Sequence, residues 1–152
     1  MYRVLIVDDS EPWRRWLCSA IEANDRWLLV AEAADGASAV EQARALRPDL
    51  ILLDVSLPSL NGIEAAQRIL AENPASRILF LSAHCSGDIV DAALAIGARG
   101  YLVKADAGGE LLTAMEAVVD GRSFTSRSVT SATLEPSRNS ARPRVPEPPV
   151  ET

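Results

Sequence analysis

The sequence predicts an α/β fold built on a parallel β-sheet with helices on both faces. Three observations support it: five short apolar runs, amphipathic helical patterns between them, and short polar connections. The five runs begin near Arg3, Leu28, Leu50, Ile78 and Gly100. Alternation of strand and helix patterns with short connections is typical of parallel sheets, whose strands are buried on both sides. Ligands of such folds bind outside the carboxyl ends of the strands.

Residues that favour helix ends mark the five predicted helices. The first helix follows Ser10, a good N-cap residue, and Pro12 is tolerated in its first turn. The second begins at Asp35 and Gly36, and Pro48 ends it because the residue before a proline disfavours helical backbone. The other three are expected from Asn61-Gly62 to Asn73-Pro74, over residues 88–96, and through Leu111 to Gly121. Trp13 and Trp16 fall on the apolar face of the first helix, and we expect them to pack against the sheet.

Composition and charge limit the possible classes of protein. The chain has 152 residues, of which 48% are apolar, and this suits one domain with a sizeable core. Residues 1–120 contain 18 acidic and 10 basic side chains, which argues against a general nucleic-acid-binding surface. No stretch approaches the roughly 18 apolar residues of a membrane span, and the first residues do not form a signal peptide. We therefore expect a cytoplasmic protein without membrane contacts.

The composition changes after Gly121. Residues 122–152 contain five prolines, many serines and threonines, and apolar residues without a helical or strand period. Such a segment cannot bury enough apolar surface to offset its ordering entropy. We therefore predict a folded domain over residues 1–121 and a disordered tail or linker over residues 122–152.

Polar residues follow four of the five apolar runs. Asp8 and Asp9 follow the first run, Asp54 the third, Ser82 the fourth and Lys104 the fifth. Lys104 is the only lysine among fifteen basic residues, so this position favours a compact, flexible point charge over the planar guanidinium of arginine. If the runs are adjacent parallel strands, these five side chains meet at one edge of the sheet.

The cluster of carboxylates predicts a site for a cation. Two carboxylates about 4 Å apart repel each other by roughly 4 kcal/mol at an effective dielectric constant near 20. A single ammonium only partly offsets three acids, so the cluster needs a proton or a bound cation. Carboxylate and carbonyl oxygens are ligands that Mg²⁺ prefers. A metal, a carboxylate and an amine around one gap are typical of phosphoryl chemistry.

With these motifs, residues 2–121 resemble the receiver domains of two-component response regulators, in the branch that usually carries a LuxR-type helix-turn-helix. The resemblance implies a flavodoxin-like, doubly wound sheet of five parallel strands in the order 2-1-3-4-5, with five helices. It also implies that Asp54 is the phosphoacceptor and Tyr101 a rotating aromatic switch, while Ser82 and Lys104 hold the phosphoryl oxygens. By the same resemblance, Mg²⁺ binds Asp9, Asp54 and the backbone carbonyl of Ser56, with Asp8 acting through water.

The resemblance implies a regulatory phosphoacceptor rather than a metabolic enzyme. The partners expected are a sensor histidine kinase or phosphotransfer protein and a downstream protein or second copy, with no direct DNA binding by this chain. His84 borders the site, and two interpretations stay open: a loop residue, or one that limits the access of water to the phosphoryl group.

Three alternatives also stay open. The chain could be the receiver part of a transcriptional regulator whose DNA-binding domain lies outside it. A Mg²⁺-dependent aspartyl phosphohydrolase also places acids after its first strand, although such enzymes use Asp-x-Asp, where this chain has Asp8-Asp9. A flavin-binding protein of the same topology would need a glycine- and hydroxyl-rich loop after that strand. Turnover of a phosphomonoester or a yellow absorbance would reveal the last two.

Overall fold

The computed structural model describes residues 1–129 and 148–149, and its centre is a six-stranded, fully parallel sheet. The strands are β1 Tyr2–Val7, β2 Trp27–Ala33, β3 Leu50–Asp54, β4 Ile78–Ser82, β5 Gly100–Val103 and β6 Phe124–Thr125. The helices are α1 Glu11–Glu22, α2 Gly36–Leu46, α3 Gly62–Glu72, α4 Gly87–Ala95 and α5 Ala107–Val119, and a 3-10 helix, Lys104–Asp106, precedes α5. The strand order is β2-β1-β3-β4-β5-β6. The parallel flavodoxin-like fold is confirmed, whereas the expected counts of five strands and five helices were each one too low.

Side-chain caps begin three of the helices at the predicted residues. Ser10 Oγ accepts a hydrogen bond from the backbone N–H of Trp13 at 3.4 Å, and Asp35 Oδ1 accepts one from that of Ser38 at 2.8 Å. Asn61 Oδ1 does the same for the N–H of Glu64 at 2.9 Å. Each cap satisfies a donor that the first turn of a helix leaves without a partner.

The sheet separates two apolar cores. Alternate residues of a strand point to opposite faces, so Val4 and Ile6 face one core while Leu5 and Val7 face the other. The first core holds apolar side chains of α1 and α5, and the second those of α2, α3 and α4. The central strand β3 is buried along its whole length. Burial on both faces explains its continuous apolar sequence and places its last residue, Asp54, at a buried edge.

The sixth strand lies in the segment for which we predicted no ordered structure. β6 pairs with β5, and Ser126, directly after it, is fully buried. Ser126 Oγ accepts a hydrogen bond from the N–H of Val103 at 3.0 Å, and Ser128 donates from its N–H and its hydroxyl to the carboxylate of Asp106, both at 2.8 Å. The prediction of disorder from residue 122 onward was therefore wrong for residues 124–128. The rest of that prediction, over residues 130–147 and 150–152, lies outside the described residues.

None of the helices in the described part of the chain combines the length and apolar character needed to span a bilayer.

Gly62 brings the start of α3 against the end of β3. Its N–H donates to the carbonyl of Val55 at 2.8 Å, and a Cβ added at this position would collide with the backbone carbonyl of Asp54. Backbone atoms cannot yield to such a collision as a flexible side chain can. Gly87, in the first turn of α4, has nothing within 4 Å of the corresponding position.

This contrast gives a test of the packing below Asp54. We expect Gly62→Ala to lower the free energy of unfolding by about 2–3 kcal/mol, because the added methyl group overpacks a rigid contact. Gly87→Ala should leave it unchanged or raise it by up to about 1 kcal/mol, because alanine favours helix and meets no neighbour. Urea unfolding of both variants measures the difference, and equal stabilities would contradict the contact.

Candidate functional site

The carboxyl ends of β1, β3, β4 and β5 bring the predicted polar residues to one edge of the sheet. Asp8 directly follows β1, Asp54 and Ser82 end β3 and β4, and Lys104 follows β5. β3 lies between β1 and β4, and β5 lies beside β4, so the four ends are consecutive. All four of these side chains are buried.

The ammonium of Lys104 is shared by two buried carboxylates. Its Nζ lies 2.9 Å from Asp8 Oδ2 and 3.4 Å from Asp54 Oδ2. Relative exposures are 4% for Lys104, 0% for Asp8 and 4% for Asp54, so solvent screens these pairs little. Asp8 Oδ1 also accepts a hydrogen bond from the N–H of Ser10 at 2.9 Å, which ties it to the cap of α1. Both oxygens of Asp8 are thus engaged by the protein.

The surroundings of Asp54 make its negative charge costly. Burial raises the pKa of its carboxyl most, the charge of Asp8 raises it further, and the ammonium of Lys104 with the N–H of Ser56 lowers it, for a value of about 7. The N–H of Ser56 donates to Asp54 Oδ1 at 3.0 Å. The balance leaves this carboxyl short of positive charge, which a cation would provide.

The third acid, Asp9, is exposed and completes the cluster. One carboxylate oxygen from each of Asp8, Asp9 and Asp54 lies within 4.8 Å of the others. Two of these residues are buried and one faces solvent, which leaves an approach for a hydrated ion. An all-oxygen donor set with an open side fits Mg²⁺, which usually keeps several waters. The acidic pocket that the sequence predicted for Mg²⁺ is present.

A second set of contacts joins the loop after β4 to Tyr101. Ser82 Oγ accepts a hydrogen bond from the N–H of His84 at 3.0 Å, and Tyr101, fully buried, donates from its hydroxyl to the carbonyl of His84 at 2.8 Å. The backbone of His84 is therefore held between two of the predicted site residues. Its exposed ring lies across from the loop after β3, with Nε2 3.2 Å from Ser56 Oγ.

Sequence reasoning missed two features of this site. The first is the contact between His84 and Ser56, for which no residue spacing gives a signal. The second is Trp13, which we expected only to pack: its ring centroid lies 4.9 Å from Lys104 Nζ. Nothing in the sequence distinguishes this contact from ordinary core packing.

Comparison with known proteins gives a family for this site. The family model described as "Response regulator receiver domain" matches residues 4–116. Of the interpretations that the sequence left open, this match supports the receiver.

Individual relatives agree with the family match. The chain is 36% identical over 146 residues to the DNA-binding transcriptional activator DevR/DosR of Mycobacterium tuberculosis, covering 96% of this chain and 67% of that protein. It is 36% identical over 121 residues to the transcriptional regulatory protein YdfI of Bacillus subtilis, covering 80% of this chain and 56% of the relative. A LuxR-family two-component response regulator from Aurantimonas sp. SI85-9A1 superposes with a TM-score of 0.81 at 33% identity, covering 86% and 94% of the two chains.

The chain spans between about half and two thirds of the length of curated regulators that it matches. The fold, the acidic edge of the sheet and the family match agree with one another. The chain belongs to the response regulator receiver domain family, of the LuxR and NarL type, and is a phosphoryl-accepting signalling switch of a two-component system.

Proposed function

We propose that Asp54 accepts the phosphoryl group in this receiver. The observation that carries the proposal is the position of Asp54: it is a buried carboxylate at the end of the central strand, 3.4 Å from the ammonium of Lys104 and grouped with Asp8 and Asp9. Asp8 is fully buried with both oxygens engaged, and Asp9 is exposed. Asp54 differs from Asp8 in its position: it ends strand β3, which lies between β1, followed by Asp8, and β4, which ends in Ser82.

The transfer is a displacement at phosphorus. An oxygen of the Asp54 carboxylate forms a bond to the phosphorus of a phosphohistidine on a partner, the P–N bond breaks, and the imidazole leaves with the bonding electron pair. Positioning and neutralisation of charge do most of the work in such reactions. Lys104 is placed to neutralise charge on the phosphoryl oxygens, and the hydroxyl of Ser82, at the end of the next strand, is placed to donate to them.

The metal ligands are part of the same proposal. We assign Asp9, Asp54 and the backbone carbonyl of Ser56 to Mg²⁺, with Asp8 acting through water. The existing contacts of Asp8 with Lys104 and Ser10 support an indirect role for it. When bound, Mg²⁺ supplies positive charge that offsets the carboxylates and the incoming phosphoryl group. The protein itself catalyses only phosphoryl transfer to Asp54 and the later hydrolysis of the aspartyl phosphate.

The loop after β4 is the element whose conformation responds to phosphorylation of Asp54. Ser82 holds the N–H of His84, and Tyr101 holds its carbonyl. A hydroxyl of Ser82 drawn towards a phosphoryl group moves the backbone of His84 and thereby the acceptor of the Tyr101 hydroxyl. Such a local change in charge biases an element that has two arrangements. These contacts support the assignment of Tyr101 as the switch residue between the site and the β4–α4 surface.

The expected partners follow from this chemistry. A sensor histidine kinase or phosphotransfer protein supplies the phosphoryl group, and we place the protein in the cytoplasm with that partner. Output passes to another protein or to a second copy through α4 and the strand that carries Tyr101. DevR/DosR and YdfI are transcriptional regulators, so a DNA-binding domain outside this chain is the second candidate for output. Within residues 1–120, the excess of 18 acids over 10 bases disfavours direct contact with DNA.

Phosphorylation of Asp54 can be tested directly. With acetyl phosphate and Mg²⁺, intact-mass analysis should show one added phosphoryl group, and Asp54→Asn should abolish it because the amide is not a nucleophile for this step. Asp88→Asn, at an exposed acid in α4, is the matched control and should be labelled like the wild type. Full labelling of Asp54→Asn would contradict the assignment.

Mg²⁺ should raise the thermal unfolding midpoint, because an ion that binds only the native state stabilises it by mass action and relieves repulsion among the three acids. Asp9→Asn should raise the midpoint in EDTA by an amount equivalent to about 1 kcal/mol and lose most of the response to millimolar Mg²⁺. Differential scanning fluorimetry with and without Mg²⁺ measures both effects. An unchanged response in Asp9→Asn would remove that residue from the metal site.

The output proposal has its own test. We expect phosphorylation to change self-association or binding to a protein partner and to create no affinity for DNA, because the receiver surface is acidic and specific duplex binding needs a basic face shaped for a groove. Analytical ultracentrifugation with and without acetyl phosphate measures the first, and fluorescence anisotropy with labelled promoter DNA the second. Sequence-specific binding that resists salt would favour direct DNA output instead.

A further inference from the structure

The ring of Trp13 forms one wall of the site around Lys104. Trp13 lies in the first turn of α1, is 2% exposed, and places its ring centroid 4.9 Å from Lys104 Nζ. Asp8 and Asp54 contact the same ammonium. A cation within about 6 Å of a tryptophan face is attracted by the negative charge of that face, and most strongly when water is excluded.

The indole N–H does not explain why a tryptophan occupies this position. Nε1 of Trp13 is buried and has no hydrogen-bond partner among the described residues. A buried tryptophan usually finds a partner for its N–H, so leaving this donor unsatisfied is a cost. The contact between the ring face and the ammonium is the feature that offsets this cost, together with the packing of the ring in the α1–α5 core.

In the proposed function, the ammonium of Lys104 must already be in position when the phosphoryl group arrives. A neighbouring side chain that holds it there is therefore useful. A lysine side chain is long and flexible, and holding it in one place costs rotamer entropy. Its carboxylate neighbours are also the residues that a metal ion would contact or neutralise, so their attraction for the ammonium weakens when the site is loaded. The ring of Trp13 carries no net charge and is not a metal ligand, so its attraction persists.

We propose that Trp13 is a positioning residue that holds the ammonium of Lys104 at the phosphorylation site through its aromatic face. This inference rests on the proposed role of Asp54 and adds to it a residue that touches neither the phosphoryl group nor the metal. It requires an aromatic ring at position 13 and not merely an apolar side chain. A purely structural role would be met by any residue of suitable volume.

The test compares removal and partial retention of the aromatic face at position 13 with removal of a ring elsewhere in the same core. Trp13→Leu removes the aromatic face, and Trp13→Phe keeps a weaker one. Trp27→Leu is the control: Trp27 is also buried in the α1–α5 core with an unpartnered N–H among the described residues, but its ring contacts Arg26 and Tyr2. If Trp13→Leu does not fold, Trp13→Met takes its place because it keeps an unbranched apolar side chain.

The rate of phosphorylation by subsaturating acetyl phosphate is measured below the unfolding midpoint of every variant. Trp13→Leu should be slower than wild type by about 10- to 30-fold, the factor expected from losing a desolvated cation–π contact. Trp13→Phe should recover most of the rate, and Trp27→Leu should remain within about threefold of wild type. A rate for Trp13→Leu equal to that of Trp27→Leu, or a phenylalanine variant as slow as the leucine variant, would overturn the proposal.

A second measurement does not depend on activity. In EDTA, the losses of thermal midpoint caused by Trp13→Leu and Lys104→Met should be less than additive in the double variant, because either change removes the same contact. The losses from Trp27→Leu and Lys104→Met should add. Additive losses for the first pair would overturn the contact as an energetic one. Full labelling of Asp54→Asn by acetyl phosphate with Mg²⁺ would instead overturn the proposed phosphoacceptor.

Discussion

One ammonium shared by two buried carboxylates is the interaction on which the rest of the site depends. Lys104 reaches Asp8 and Asp54 from the end of β5, across the ends of β3 and β4. This contact is possible only because the strands are parallel and consecutive, so that their carboxyl ends meet. It leaves the cluster with more negative than positive charge, since Asp9 lies within 4.8 Å of both acids. The cluster therefore carries a net negative charge, which the binding of a cation would offset.

The same imbalance is a cost to stability. The pKa of Asp54 is raised to about 7, chiefly by burial and then by the charge of Asp8, so the native state binds this proton more tightly than the unfolded chain. The stability that the native state gains from binding this proton is fully present below the unfolded pKa, near 4. It is lost as the pH rises through about 7. Above that pH the metal-free protein thus carries a carboxylate that its fold disfavours. Such local conflicts with stability are expected at functional sites.

The sequence predicted most of this arrangement because strong local signals coincide with it. Caps at Ser10, Asp35 and Asn61 begin their helices as predicted, and four apolar runs end in the polar residues that the structure gathers at one edge. The sixth strand escaped prediction because two residues cannot show a period, and because its anchor is the hydroxyl of Ser126 rather than an apolar side chain. The contact of Trp13 with Lys104 escaped it because a ring face gives no signal in sequence that distinguishes it from core packing.

The missed strand also connects to the site. The 3-10 helix Lys104–Asp106 carries the ammonium at its first residue, and its last residue accepts two hydrogen bonds from Ser128. Just before this helix, the N–H of Val103 donates to Ser126. A shift of Lys104 towards a phosphoryl group therefore acts on a helix of only three residues that is tied at both ends to the segment after α5. Because so short a helix has little room to absorb a shift, the segment after α5 is coupled to the proposed phosphoacceptor site.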